Sequence, residues 1–256
     1  MLRRTLLAGG LAAFVTPALA ARSPGAGGSS YAAFLAGVRR EALAQGVSAA
    51  TLSSALALAV EPNPKVLKAD RHQPEFTLTW AQYKDRVLTE TKIANGLDAV
   101  AGRTQLLDPI NATYGVSKGA IAGIWGLESA YGVHMGTFHV IDALATLAYD
   151  GRRSSFFRSE LLKSLIILDQ GAIAPAQMLG SYAGAMGQPQ FMPSAYLRYA
   201  ASYPAGGRSD IWHNEGDVFA SIANYLARCG WQQGQPWGEE VLLPASVTQD
   251  QLGRSR

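Results

Sequence analysis

Residues Ser117–Gly132, SKGAIAGIWGLESAYG, decide how the rest of the chain is read. Ser117 suits a helix N-cap, because its hydroxyl can accept an otherwise unpaired N–H of the first turn. Gly132 suits the helix end, where a left-handed residue lets the last carbonyls be closed off. Between them Ile121, Ile124, Trp125 and Glu128 recur at i, i+3, i+4 and i+7, which is one face of a helix. Three of these are large and apolar, and the fourth is a carboxylate. An ionised carboxylate among such neighbours loses hydration, so its pKa should rise. A carboxylic acid that stays protonated near neutral pH can act as a general acid. The spacing is also met by a helix-end Glu that reaches solvent or pairs with an Arg, and the helical face by itself favours that plainer reading.

Composition narrows the classes. The chain has 256 residues, 48% hydrophobic and 16% charged, enough for a sizeable core in one main domain with or without a smaller subdomain. The formal charge is +3, and removal of residues 1–20, which carry two Arg and no acid, would leave 20 basic and 19 acidic residues. With no Lys/Arg run, nothing electrostatic points to nucleic acid. Cys229 is the only cysteine, which excludes an internal disulfide and CxxC chemistry. It ends an apolar helical pattern and reads as a buried small hydrophobe. The four His lack metal-ligand spacing, His134 and His139 being five apart, so neither a metal nor a cofactor is expected.

Residues 1–20 read as an export signal: Arg3 and Arg4 are the basic region, Leu6–Val15 the apolar run, and Ala18-Leu19-Ala20 a cleavage site. The Arg pair fits the twin-arginine route. The apolar run is too short for a stable anchor, so no membrane insertion is expected after cleavage, and the mature protein should be periplasmic. Residues 21–30 are a flexible leader. A helical domain is expected over 31–240 and a tail over 241–256. Ser48 should cap a helix through Leu52, Leu56 and Val60, with Pro62 and Pro64 as breakers. Thr79 should cap a helix carrying Tyr83 and Val87. Residues 90–112 read as one helix broken at Asp108-Pro109, 141–149 as another, and a further one opens at Ser155 and closes at Gly171. In GSYAGAMGQPQFMPSAYLRYA, residues 180–200, three Gly within eight residues permit close backbone approach or unusual dihedrals, and Gln188 and Gln190 flank Pro189. A Gly-rich segment bearing amides and no phosphate-loop Lys suits a neutral polar ligand, although a tight turn between helices has the same spacing. Pro193 should start one helix, and another should follow Asp217. VLLPASV, 241–247, is the only expected strand.

Several of these stretches together resemble the membrane-bound lytic transglycosylase B family, murein-cleaving enzymes with a lysozyme-like fold. They are QPEFTLTWAQY, YGVSKGAIAGIWGLESAYG, VIDALATLAYDGRR, GSYAGAMGQPQFMPSAY and DIW…SIANYLARCGW, in the family's order from about residue 73 to 231. The resemblance implies a mainly α, lysozyme-like transglycosylase fold with little β structure, and Glu128 as the single catalytic acid. By motif position it implies that Ser181, Gln190, Tyr225 and Tyr83 line a cleft for peptidoglycan glycan strands. Packing or capping work is the plainer role for each. The implied reaction cleaves the β-1,4 bond between N-acetylmuramic acid and N-acetylglucosamine and leaves a 1,6-anhydromuramic acid end. The enzyme is expected to be a monomer without cofactor.

Two departures from the family pattern matter. Members often carry a calcium loop between the Pro-Ser-Ala-Tyr and Ala-Asn-Tyr motifs. Here that loop is ASYPAGGRSDIW, with Ser202, Pro204 and Gly206 where oxygen ligands are expected, so no calcium is anticipated. The family also continues past the Gly-Trp motif into an Asn- and Tyr-rich segment that this sequence does not contain, which reads as truncation or a missing cleft wall. A hydrolytic muramidase on the same fold and a non-catalytic peptidoglycan-binding protein are the alternatives.

Overall fold

In a computed structural model the chain is described at residues 30–71, 78–235, 238, 241, 242, 244 and 246–248. The expected export signal (1–20), the leader up to 29, the Gln-Pro-Glu-Phe motif (73–76) and the tail beyond 248 lie outside the described residues. The described chain is mainly α-helical. Its helices are α1 (Tyr31–Ala44), α2 (Ala49–Leu56), α3 (Pro64–Asp70), α4 (Trp80–Val87), α5 (Glu90–Gly102), α6 (Thr104–Tyr114), α7 (Lys118–Ser129), α8 (Val140–Asp150), α9 (Ser154–Asp169), α10 (Pro193–Tyr199) and α11 (Glu215–Arg228). Two strands, β1 (Phe138–His139) and β2 (Leu179–Gly180), pair antiparallel with Phe138 opposite Gly180 and His139 opposite Leu179. The ribbon continues through isolated bridges from Gly180 to Met186 and from Met186 to Phe191. No helix among the described residues is long and apolar enough to cross a membrane.

The helix starts follow from their capping residues. Ser48, Thr79 and Ser117 each accept an N–H of the first turn, and Thr79 completes a capping box with Gln82. Other boundaries depart from expectation. Pro62 and Pro64 do not simply break a helix, because Pro64 occupies the first turn of α3, where its missing N–H costs nothing. Val60 is exposed and continues no stripe. Pro109 lies within an unbroken α6, held between the buried Leu107 and Ile110. The actual break is at Arg103, whose φ of −124° leaves the helical region. The last helix starts at Glu215, because Asn214 accepts the N–H groups of Gly216 and Asp217. The described residues of the 241–247 stretch form no strand, and the strands that do form are only two residues long. Cys229 is exposed, since it sits at the C-cap of α11 beyond the helix's buried face.

Two apolar cores organise the helices. The larger holds Val38, Leu52, Val66, Ile141, Leu144, Phe157, Leu161 and Leu165 from α1–α3, α8 and α9, with Met186, Phe191, Ile211 and Trp212 from the connecting segments. The smaller holds Leu107, Ile110, Ile121, Trp125, Val218, Phe219 and Ile222 from α6, α7 and α11. Each such side chain, fully buried, contributes about 1.5–3 kcal/mol. Helix α4 buries no residue.

Candidate active site

Helix α7 is fixed by Trp125. Its ring meets Phe219 edge-on at 4.9 Å and Tyr131 at 5.5 Å, and the Arg103 guanidinium lies 4.8 Å from its centroid. Arg103 is itself held by a two-pronged contact to Glu215, Nε and Nη2 each donating at 2.7 Å. The Trp125 indole N–H donates to Gln188 Oε1 at 2.7 Å. The helix ends earlier than Gly132: Ala130, Tyr131 and Gly132 all have positive φ, at 49°, 62° and 85°. Ser129, buried, closes this unusual turn by accepting the Gly132 N–H at 3.0 Å and donating to the Trp125 carbonyl at 3.1 Å.

Glu128 therefore stands on the last turn of α7, next to a backbone that turns away sharply. Its side chain is more accessible than the helical face alone implies, because Ile121 and Trp125 turn into the smaller core while Glu128 stays at the rim. No hydrogen bond or ion pair engages it among the described residues. Its carboxyl is nevertheless pushed above the ordinary carboxylate range by desolvation. The two facts agree: water reaches the carboxyl from one side, while protein on the others displaces the bulk solvent that would stabilise its charge.

The Gly-rich segment lies against the loop that leaves α7. The backbones at 136 and 180 approach so closely that a Cβ on Gly136 would lie 2.0 Å from the Gly180 carbonyl oxygen and 2.7 Å from Ser181 N. Ser181 Oγ accepts the N–H groups of Ala183 (3.3 Å) and Ala185 (3.1 Å). Its own proton is left to donate. Gln190 has φ +50° and donates its amide nitrogen to the carbonyls of Gly187 (2.8 Å) and Met135 (3.1 Å), which leaves its side-chain oxygen as an acceptor. Tyr225 on α11 packs against Phe191 at 5.6 Å and Tyr199 at 4.9 Å, and burial raises its phenol pKa. Ser181, Gln190 and Tyr225 are thus stitched through residues 135–136 and 191 to the segment that follows Glu128. Tyr83 stands apart on α4, its ring stacked on Trp80 at 6.3 Å.

Gln188 is marked in the sequence only as one of two amides flanking Pro189, without the role its bonds give it. It is buried, and besides accepting from Trp125 it donates Nε2 to the Trp212 carbonyl at 2.9 Å, while its own N–H donates to the Ile211 carbonyl at 2.9 Å. An amide beside Pro189 in a Gly-rich turn was the only available signal.

The loop between α10 and α11 does not fit a calcium ion. Both Asp217 carboxylate oxygens accept backbone N–H groups, from Tyr203 and Asp210, each at 2.7 Å. Asp210 Oδ1 accepts from Trp212 and His213, each at 2.9 Å, and Ser202 Oγ accepts from Gly207 at 3.0 Å. Asp210 is the loop's one carboxylate, with Asp217 following on α11, and Pro204 and Gly206 bring no side-chain oxygen toward the roughly six to eight that calcium takes.

Comparison with known proteins places this geometry. The profile of the transglycosylase SLT domain matches residues 30–256. Membrane-bound lytic murein transglycosylase B of Escherichia coli (strain K12) is 36% identical over 159 residues, 60% of this chain and 43% of that protein. SltB3 of Pseudomonas aeruginosa, solved in complex with NAG-anhNAM-pentapeptide, superposes with a TM-score of 0.79 at 44% identity, covering 86% of this chain and 58% of that one. The soluble lytic transglycosylase SltB1 of Pseudomonas aeruginosa superposes with a TM-score of 0.72 at 32% identity, covering 81% and 69%. The chain thus spans 43% of the length of the curated relative and 58% of SltB3. The likeness bears out the expected lysozyme-like transglycosylase fold.

Proposed function

The chain belongs to the transglycosylase SLT domain family, and on that premise we propose that it is a lytic murein transglycosylase with Glu128 as its single catalytic acid. The observation that carries the reading is Glu128 itself: a helix-end carboxyl without an ionic partner among the described residues, accessible to a ligand, and biased toward its protonated form by desolvation. In the proposed reaction Glu128 protonates the glycosidic oxygen between N-acetylmuramic acid and N-acetylglucosamine. The bond to the leaving sugar breaks and an oxocarbenium-like centre develops. Glu128, now a carboxylate, accepts the proton of the 6-hydroxyl of the same muramic acid, whose oxygen closes the 1,6-anhydro ring. No water is consumed and no second carboxylate is needed, unlike the two-carboxylate glycosidases. The nucleophile belongs to the substrate and gains from proximity.

The proposed glycan-binding residues supply neutral polar contacts. With its lone pairs facing two N–H groups, the Ser181 hydroxyl is set to donate, as to an acetamido carbonyl. With its nitrogen committed, Gln190 is set to accept, as from an acetamido N–H. Tyr225, and Tyr83 with its stacked Trp80, would offer aromatic faces to sugar rings. The partner is the peptidoglycan glycan strand, met by a monomer in the periplasm after export through residues 1–20. SltB3 in complex with NAG-anhNAM-pentapeptide, at 44% identity, supports this choice of substrate.

The test is mass spectrometry of the soluble products released from purified sacculi. Anhydro-muropeptides, one water lighter than their reducing counterparts, are expected from the wild type. Glu128→Gln should lower release by about 10²–10⁴-fold. Reducing-end products would make the protein a hydrolytic muramidase. Equal release by both proteins would remove Glu128 from the chemistry, and no release by the wild type would leave a peptidoglycan-binding protein.

A further inference from the structure

We propose that Gln188 is a positioning residue that couples the loop between α10 and α11 to the helix end carrying Glu128. The inference rests on the catalytic reading of Glu128 above. Gln188 sits at the tip of the 186–191 hairpin, between the two apolar cores. Toward the larger core it is bonded to the carbonyls of Ile211 and Trp212. Toward the smaller core it accepts the indole N–H of Trp125, one turn before Glu128. It also packs against the turn that follows Glu128, where a Cβ on Gly132 would lie 2.7 Å from Gln188 Oε1. One side chain therefore touches α7 at Trp125, before the proposed catalytic carboxyl, and the turn at Gly132 that follows it.

The far end of the coupling is anchored as firmly. Asp217, buried on the first turn of α11, holds the N–H groups of Tyr203 and Asp210. Asp210 in turn holds the N–H groups of Trp212 and His213. The sequence of bonds runs from Asp217 through Asp210 and Trp212 to Gln188, then to Trp125. A buried amide whose acceptor and donor are both used fixes its neighbours at set distances, because shifting either leaves a buried polar atom unpaired. Ser181 and Gln190 are stitched to the same ribbon as Gln188. Its three bonds thus set where the acid stands relative to the groups proposed to hold the sugar. Such placement governs turnover rather than affinity, since small displacements of an acid from its target reduce rates steeply.

Two measurements test the coupling. In the first, kcat and KM are measured on a soluble glycan fragment for wild type, Gln188→Met, Trp125→Phe and the double variant, each below its melting temperature. Gln188→Met and Trp125→Phe should each lower kcat by roughly ten- to hundredfold with little change in KM. The double variant should lose little more than the worse single one, because both cut the same bond. Folded variants with lower Tm but unchanged kcat, or losses that multiply in the double variant, overturn the proposal. The second measurement needs no turnover: hydrogen exchange of the Trp125 indole N–H and of the 129–132 amides in Asp217→Asn. If that variant does not fold, Asp210→Ala replaces it. Faster exchange at Trp125 and 129–132 upholds the coupling, whereas acceleration confined to 202–214 overturns it. A wild type without turnover refutes the proposed function, and the exchange comparison then still decides the coupling.

Discussion

Replacing Gly136 with Ala should be much more damaging than replacing Gly46 with Ala, although the two glycines share nearly the same dihedral. Their φ values are +91° and +89°. In that region an L-residue incurs about 1–2 kcal/mol, because its Cβ crowds the following carbonyl. At Gly46 nothing lies within 4 Å of the added Cβ, so the dihedral cost is the whole cost. At Gly136 the Cβ would fall 2.0 Å from the Gly180 carbonyl oxygen and 2.1 Å from its carbon. Those are backbone atoms, fixed by the β1–β2 pairing, and Gly180 is itself pressed against Ala185, whose carbonyl oxygen would lie 2.2 Å from a Cβ there. The strands must separate, adding about 1–3 kcal/mol of overpacking. Gly136→Ala should therefore lose roughly 2–5 kcal/mol in total, against about 1–2 for Gly46→Ala. For a domain of this size each kcal/mol moves Tm by roughly 2–4 °C. Thermal unfolding followed by circular dichroism should then put Gly136→Ala several degrees below Gly46→Ala. Well below both midpoints, only Gly136→Ala should lose activity, since the separating strands carry Ser181 away. Equal Tm losses in the two variants would refute the steric argument.

Three further outcomes follow from named contacts. Because desolvation raises the folded pKa of Glu128, its contribution to stability is fully present below the ordinary carboxylate range and is lost as pH rises through the elevated folded value. Glu128→Gln should accordingly melt above the wild type at about pH 8 and level with it at about pH 3, and wild-type kcat should fall along the same alkaline limb if the protonated acid is required. Ser129→Ala strands the Gly132 N–H in a part-buried turn and should cost about 1–3 kcal/mol in denaturant unfolding, whereas Ser129→Thr, which keeps the oxygen, should recover part of it. Glu160 is buried on α9 and accepts the Ser194 N–H at the start of α10 at 2.8 Å; Glu160→Leu should lower Tm more than Glu160→Gln, which keeps an acceptor in place.

What was legible in the sequence was what short stretches determine by themselves. The starts of α2, α4 and α7 could be read because a cap and its N–H partner lie three residues apart. The upward shift of the Glu128 carboxyl was legible in part, since its helical face and the following Gly are local, whereas its proposed role as the acid comes from the motif series. Pro109 misled because its local cost is outweighed by the burial of Leu107 and Ile110 on either side of it. Cys229 misled because an apolar pattern fixes the face of a helix and not where that helix leaves the core. The strands were missed for a different reason: two-residue strands have no period to detect, and they pair across about forty residues of chain because Gly136 and Gly180 let the backbones meet.

Gln188 shows where the limit falls. Its partners Trp125 and Trp212 lie 63 and 24 residues away, so no window of sequence contains the group that gives it meaning. A Gln in a Gly-rich turn is chemically ambiguous, able to donate or accept and as suited to solvent as to a ligand. Folding resolves the ambiguity by presenting an indole N–H on one side and a carbonyl on the other, a pairing that an amide satisfies at both ends and that neither a carboxylate nor an ammonium could. Glu128 differs in kind, because its chemistry lies in its own side chain and the fold only adjusts its proton affinity. A motif can therefore announce a candidate acid, whereas a residue proposed to hold it in place is defined by bonds, and bonds between distant segments become visible only when the chain is folded.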